Sequence, residues 1–369
     1  MSRFRRFGCP GCLGLVVVLV LLLAGALLWV VFADSYRGFS EPALVELPRG
    51  MRAAEMASVL AEAGVVRHPW TFLAARALHP GAAIQAGEYR FDKPASPAEV
   101  LRRLARGDVY VIQVVIPEGS NIFDIAAILE AAGFGSASEF VRYARSNTML
   151  IRELAPAAPS LEGYLFPSTY AFRRKATVEE IARAMVLQFR KTWESLDTAG
   201  KPVHDTVTLA SLVEKETAVA EERPRVSSVF HNRLRAGMKL DCDPTVVYGS
   251  ILAGRWRGVI YRSDLDHPNL YNTYRHAGLP PGPIANPGKA SLQAALSPES
   301  SDYLYFVAKP GGSGEHVFSA TLGAHKAAVA AYRRANGRNG KKQQQPPQTQ
   351  NQQGKPNRRG DRSGSKTAR

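Results

Sequence analysis

The strongest feature of the hydropathy pattern is an uncharged run, CLGLVVVLVLLLAGALLWVVF, from Cys12 to Phe32. As a helix rising about 1.5 Å per residue it spans roughly 30 Å, the thickness of a bilayer's hydrocarbon core. Arg3, Arg5 and Arg6 precede it, while Ala33-Asp34-Ser35 carries no basic excess. The positive-inside rule then keeps residues 1–11 in the cytoplasm and sends the rest of the chain outside. Trp29 suits an anchor at the outer interface. A cleaved signal peptide is the alternative, because Val31-Phe32-Ala33 is loosely like a cleavage site. A signal core is usually about 7–15 residues, so the longer run favours a retained helix.

Beyond it the pattern repeats. Residues 45–64 (VELPRGMRAAEMASVLAEAG) align without gaps to 114–133 (VVIPEGSNIFDIAAILEAAG), with Val45/Val114, Pro48/Pro117, Gly50/Gly119, Ala57/Ala126, Leu60/Leu129, Ala63/Ala132 and Gly64/Gly133 identical. Each copy reads as a strand, a Pro-x-Gly turn and an amphipathic helix closed by glycine. Between them lie a helix at Pro69–Leu78, a strand at Glu88–Phe91 and a helix at Ser96–Ala105. Such βα units resemble LysM-like glycan-binding domains. Residues 135–205 read as mainly helical, interrupted by the aromatic loop Leu161–Tyr170. Helices follow at Val207–Ala218 and Pro224–Arg235, then a loop-rich stretch 241–289 and a short helix Ala290–Ala295. Strands at Tyr303–Ala308 and His316–Ser319 and a helix Thr321–Arg334 end the folded part. From residue 337 a Gln-, Lys- and Arg-rich tail lacks the apolar residues to fold and is expected to be disordered.

Charge changes the picture once it is divided. The net +15 includes +8 from residues 338–369 (nine basic residues, one acid) and +3 from the three N-terminal arginines. Only +4 remains for residues 7–337, which removes most of the support for a nucleic-acid partner. Cys9 and Cys12 form a lone CxxC before the apolar run, and Cys242 lies on its other side; none is assigned a role.

The candidate chemistry lies in the helix TVTLASLVEKETAV. Leu209, Leu212 and Val213 make an apolar stripe, and the next slot of that stripe is Glu216. A carboxyl there should have a raised pKa, from desolvation first and then the helix dipole, as a general acid requires. A buried ion pair with Arg223, Arg225 or Arg233 would place Glu216 equally well. Glu214 falls about 160° away on the wheel. The loops DPTVVYG, YNTY, GLPPGPI and NPG set tyrosines and asparagines on stiffened backbone, which suits a sugar-binding groove.

The runs ASLVEKETAVAEE, RVSSVFHNRLRAGMKLDCDPTVVYG, YNTYRHAGLPPGPIANPG and YLYFVA resemble the endolytic murein transglycosylases of the MltG (YceG-like) family. The resemblance implies that Glu216, the second glutamate of E-K-E-T, is catalytic and that a LysM-like module precedes the catalytic domain. It implies non-hydrolytic cleavage of MurNAc–GlcNAc bonds in peptidoglycan glycan strands to 1,6-anhydro ends, with no metal or cofactor. Tyr271, Asn272, Tyr274, Glu162 and Asp243 are the candidate substrate-binding residues, and Glu162, Glu214, Asp241 and Asp243 are candidates to orient Glu216 or the sugar. Ser168 stands where the family usually has aspartate. A hydrolytic muramidase and a non-catalytic wall-binding scaffold are the competing readings. Peptidoglycan synthases or the division machinery are further candidate partners. The chain is thus expected to be α+β: cytoplasmic residues 1–11, a transmembrane helix 12–32, a LysM-like module 44–134, a helical connection 135–205, a mixed α/β catalytic domain 206–336 and the basic tail 337–369.

Overall fold

The structure, a computed structural model, describes residues 10–343. Arg3, Arg5, Arg6, Cys9 and the tail from residue 344 lie outside the described residues. The architecture is α+β, with helices around three two-stranded antiparallel sheets. Helix α1 (Pro10–Phe32) is long and apolar enough to cross a membrane, with mean hydropathy 3.2 over Gly14–Phe32.

The repeat folds twice into the same order of elements. The first unit is β1 (Ala43–Leu47), α2 (Ala53–Glu62), α3 (Pro69–Leu78), β2 (Gly87–Phe91) and α4 (Pro97–Arg106). The second is β3 (Val111–Val115), α5 (Ile122–Ala131), α6 (Ala137–Ser146), β4 (Thr169–Arg173) and α7 (Val178–Glu194). In both, the first strand pairs with the one that returns after two helices, Val45 opposite Tyr89 and Val114 opposite Tyr170. Helices α2 and α5 occupy identical positions in the aligned copies, and the closing glycines Gly64 and Gly133 both take left-handed backbone, φ +69° and +84°. A side chain is strained there, which is why glycine ends both copies.

Packing divides the chain near residue 107, not at 134. Val45, Leu47, Leu60, Phe72, Tyr89, Phe91 and Leu104 form one core, into which Val31 of α1 also fits. Val114, Ile122, Ile125 and Leu129 of the second copy share the other core with residues up to Leu296. Ion pairs Arg174–Glu88 (2.7 Å) and Lys175–Glu46 (2.6 Å) tie the two units. The strand β4 was not evident in the sequence, because its partner β3 lies more than fifty residues earlier and supplies the pairing that its short pattern cannot announce.

The remaining elements surround α8 (Val203–Glu216): α9 (Arg223–Arg235), α10 (Asp243–Leu252), α11 (Arg262–Leu265), α12 (Lys289–Leu296), the hairpin β5 (Tyr305–Ala308) and β6 (His316–Ser319), and α13 (Leu322–Gln343). Two expectations are corrected here. The DPTVVYG stretch begins a helix and not a loop; Pro244 at its first turn fixes a helical φ and gives up an amide that has no partner there. The last helix also passes residue 337 and runs to Gln343, since Lys, Arg and Gln extend a helix already nucleated.

Candidate active site

Helix α8 is enclosed on every side from Thr206 to Val213, not on one apolar stripe. The stripe therefore does not by itself single out Glu216. What does is its place as the last residue of the helix, after which Thr217 turns to extended backbone (φ −106°, ψ 110°). Burial raises the pKa of Glu216, and the charge of Asp243 adds to this; a hydrogen bond from the Cys242 thiol and the charges of His316 and Arg233 oppose it.

None of the three arginines that could neutralise Glu216 does so. Arg223 pairs with Glu214 (3.4 Å), Arg225 with Glu299 (3.1 Å) and Arg233 with Asp241 (3.4 Å). Glu216 has no ion-pair partner among the described residues. The structural ion pair belongs to Glu214, whose other oxygen accepts the Gly288 amide at 3.0 Å at the start of α12. Glu214 thus joins α8, α9 and α12, and a carboxylate at the N-terminus of α12 also meets its favourable dipole. Glu118, from the turn of the second repeat, closes the other side: a Cβ at Gly288 would fall 2.0 Å from its Oε1. Burial, then the charge of Glu214, raises the Glu118 pKa against the pull of Arg223.

Around Glu216 the LDCDPT and YNTY segments are stitched together. Thr273 Oγ1 accepts the Cys242 amide at 3.0 Å and lies 2.9 Å from Thr245 Oγ1. The Tyr274 hydroxyl donates to Asp243 Oδ1 at 2.6 Å, and the Asp243 side of this pair is exposed. Asp241 has φ +47°, a strained value for a side chain that the Arg233 contact helps to hold. Burial raises the Cys242 thiol, and the neighbouring Glu216 raises it further.

Of the sequence-predicted residues, Asp243 and Tyr274 are therefore beside Glu216. Asn272 is buried and spent on the loop: its amide donates to the carbonyls of Leu265 (2.9 Å) and His267 (2.8 Å). Glu162 is also interior, 1% exposed, where the Ile122 amide (2.9 Å), the Tyr248 hydroxyl (2.9 Å) and the Asn286 amide (2.8 Å) reach its oxygens. These contacts fill its oxygens with the chain's own donors and leave it no open side for a sugar. Tyr271 packs edge-on to Tyr248 at 5.1 Å and belongs to this second polar centre. Ser168 contributes its carbonyl, which accepts the Ile116 amide at 2.9 Å.

Burial pushes the pKa of Glu162 up to about 8, although the Ile122 and Tyr248 hydrogen bonds pull it down. A raised acid favours the folded state below the unfolded pKa and loses that contribution as pH rises through the folded value. Wild type should therefore lose thermal stability relative to Glu162→Gln between pH about 4.5 and 8. Parallel melting curves for the two proteins across that range would contradict the assignment.

Sequence reading did not find Glu222 and His316. Both Glu222 oxygens accept the His316 amide, at 3.0 and 3.1 Å, and Oε2 lies 2.7 Å from His316 Nδ1. This contact fixes Nδ1–H on the carboxylate and leaves Nε2 as the acceptor in the neutral ring. The only signal was the second acid after E-K-E-T and a histidine in a hairpin, 94 residues apart.

The enclosed helix-end carboxyl, the tyrosine–aspartate pair beside it and the doubled βααβα units accompany a sequence match: the chain belongs to the YceG-like family, whose profile matches residues 45–331. An endolytic murein transglycosylase of Bacillus subtilis is 34% identical over 308 residues, covering 78% of this chain and 84% of that protein. One of Streptococcus pneumoniae serotype 2 is 29% identical over 297 residues, 72% of this chain but 54% of the longer relative. A crystal structure of a yceG-like protein from Listeria monocytogenes superposes with a TM-score of 0.52 at 31% identity, covering 78% of this chain and 99% of that one.

Proposed function

We propose that this protein is a membrane-anchored lytic transglycosylase that cuts peptidoglycan glycan strands, with Glu216 as its single acid and base. The observation that carries the reading is a carboxyl enclosed enough for burial to raise its pKa, while Arg223, Arg225 and Arg233 pair with other acids. Glycosidases ordinarily need two carboxylates about 5–9.5 Å apart. A transglycosylase can use one. Protonated Glu216 gives its proton to the bridging oxygen as the C1–O bond of MurNAc breaks. The resulting carboxylate then takes the proton of the MurNAc C6 hydroxyl, whose oxygen bonds to C1 and closes the 1,6-anhydro ring. No water is consumed.

Asp243 and Tyr274 lie where they can hold the sugar or set the charge at Glu216. The first βααβα unit, with its own core, is the LysM-like glycan-binding part; the second is built into the catalytic core. Helix α1 is the retained anchor, with the N-terminus in the cytoplasm and the catalytic unit outside.

Mass spectrometry of glycan digested by the purified protein tests the reaction. Anhydro-ended products support it. Reducing ends without anhydro sugar would make the protein a hydrolytic muramidase, and intact glycan would make it a binding scaffold.

The charge of Asp243 also gives a pH prediction. Glu216 must begin protonated, so kcat/KM should fall as pH rises through its raised pKa. Asp243→Asn keeps an acceptor for the Tyr274 hydroxyl and removes a charge that lifts Glu216. The alkaline limb should move to lower pH, with Arg233 and His316 the same in both proteins. A limb that stays in place or moves upward contradicts this role.

A further inference from the structure

Helix α3 has a face that nothing among the described residues covers. Thr71, Phe72 and Ala75 point into the first core, whereas Trp70, Leu73, Ala77 and Leu78 are exposed. At about 100° per residue these four fall within one arc of roughly 140°. Trp70 is 50% exposed, Leu73 37% and Leu78 44%. The face is unbroken by any charge.

Its position says what lies against it. Helix α1 packs on α3 and α4, and Val31 is fully buried in the core that holds Phe72 and Ala75. The ring of Phe32 meets His79, at the end of α3, edge-on with centroids 5.8 Å apart. The end of the apolar helix thus packs directly against the first unit. If α1 fills the hydrocarbon core up to Phe32, the end of α3 sits at the level where lipid gives way to water. An apolar helical face at that level lies in the interface, where aromatic side chains such as Trp70 are favoured.

We infer that α3 is a second membrane contact, lying in the outer leaflet's interface with Trp70, Leu73, Ala77 and Leu78 against the lipid. This rests on the reading of α1 as a retained anchor, and the test separates the two. The chain has four tryptophans, of which Trp29 is in α1 and Trp70 in α3. Full-length protein, Trp29→Phe and Trp70→Phe are each placed in nanodiscs of ordinary lipid or of lipid brominated near the acyl carbonyls. Subtracting each variant's emission from wild type isolates one tryptophan. Bromine should quench Trp29 and Trp70 by twofold or more, and Leu73→Glu/Leu78→Glu should relieve the quenching of Trp70 alone. Quenching of Trp29 without Trp70 overturns the contact and leaves the anchor. Absence of Trp29 quenching overturns the anchor itself. Quenching of Trp70 that survives the double glutamate variant also overturns the contact, because it would not come from this face.

Discussion

Replacing Glu216 by glutamine is expected to lower formation of anhydro-ended product by about three orders of magnitude, the scale of a lost general acid–base. Glutamine keeps the shape and an oxygen to accept the Cys242 thiol, but it cannot give and recover a proton near neutral pH. The thermal midpoint should stay the same or rise slightly, because the substitution breaks no ion pair and removes a charge that burial disfavours. Glycan binding should survive. Glu214→Gln is the informative contrast. It breaks the contact to Arg223 and weakens the one to Gly288, so it should cost stability, on the order of 1–3 kcal/mol, yet retain activity at low temperature. An active Glu216→Gln beside a well-folded but dead Glu214→Gln would reverse the two roles. An unfolded Glu216→Gln would mean that the carboxyl is structural.

The second large effect should come from a residue with no part in the proton transfer. Asn286 is fully buried and its side chain makes three hydrogen bonds: from the Leu165 amide (2.8 Å), to the Ser120 carbonyl (2.9 Å) and to Glu162 (2.8 Å). Its backbone also pairs with Ser120 and Gly119. Asn286→Ala orphans the Leu165 amide and one oxygen of the buried carboxyl, while the Ser120 carbonyl keeps the backbone amide of residue 286. The expected cost is about 3–5 kcal/mol, a large part of a typical domain's stability. Calorimetry should record a midpoint lowered by roughly 10 °C. A shift below about 2 °C would mean that water or a moved neighbour satisfies the orphaned groups.

The sequence was most informative where interactions are local. Two gapless copies of one pattern led directly to strand, turn and helix, and α2 and α5 lie in the same register because proline, glycine and apolar spacing act over a few residues. The desolvation of Glu216 was legible too, though for an incomplete reason. A stripe was read where the helix is enclosed all round, and the arginines expected near Glu216 pair with other acids. What stayed hidden depends on distant pairing. From sequence Glu162 reads as a sugar ligand because its partners Tyr248 and Asn286 lie 86 and 124 residues away. Asn272 is hidden for another reason: the carbonyls it binds lie only seven and five residues back, but they turn toward it only once the loop closes. Glu222 and His316 carry no pattern at all until the hairpin reaches the end of α8.

The polar centre at Glu162 also sets the order in which the chain can fold. Its contacts close loops of 40 to 166 residues, and closing such loops costs entropy before any packing repays it. The first unit needs none of this: its core is complete by Leu104, so it can fold as soon as that segment has left the ribosome or the membrane. Val114, Ile122 and Leu165 must instead wait for Asn286, with apolar surface uncovered in the meantime. During synthesis the chain is therefore half finished for as long as it takes to add almost two hundred residues. That interval is when it is most exposed to proteases and to aggregation.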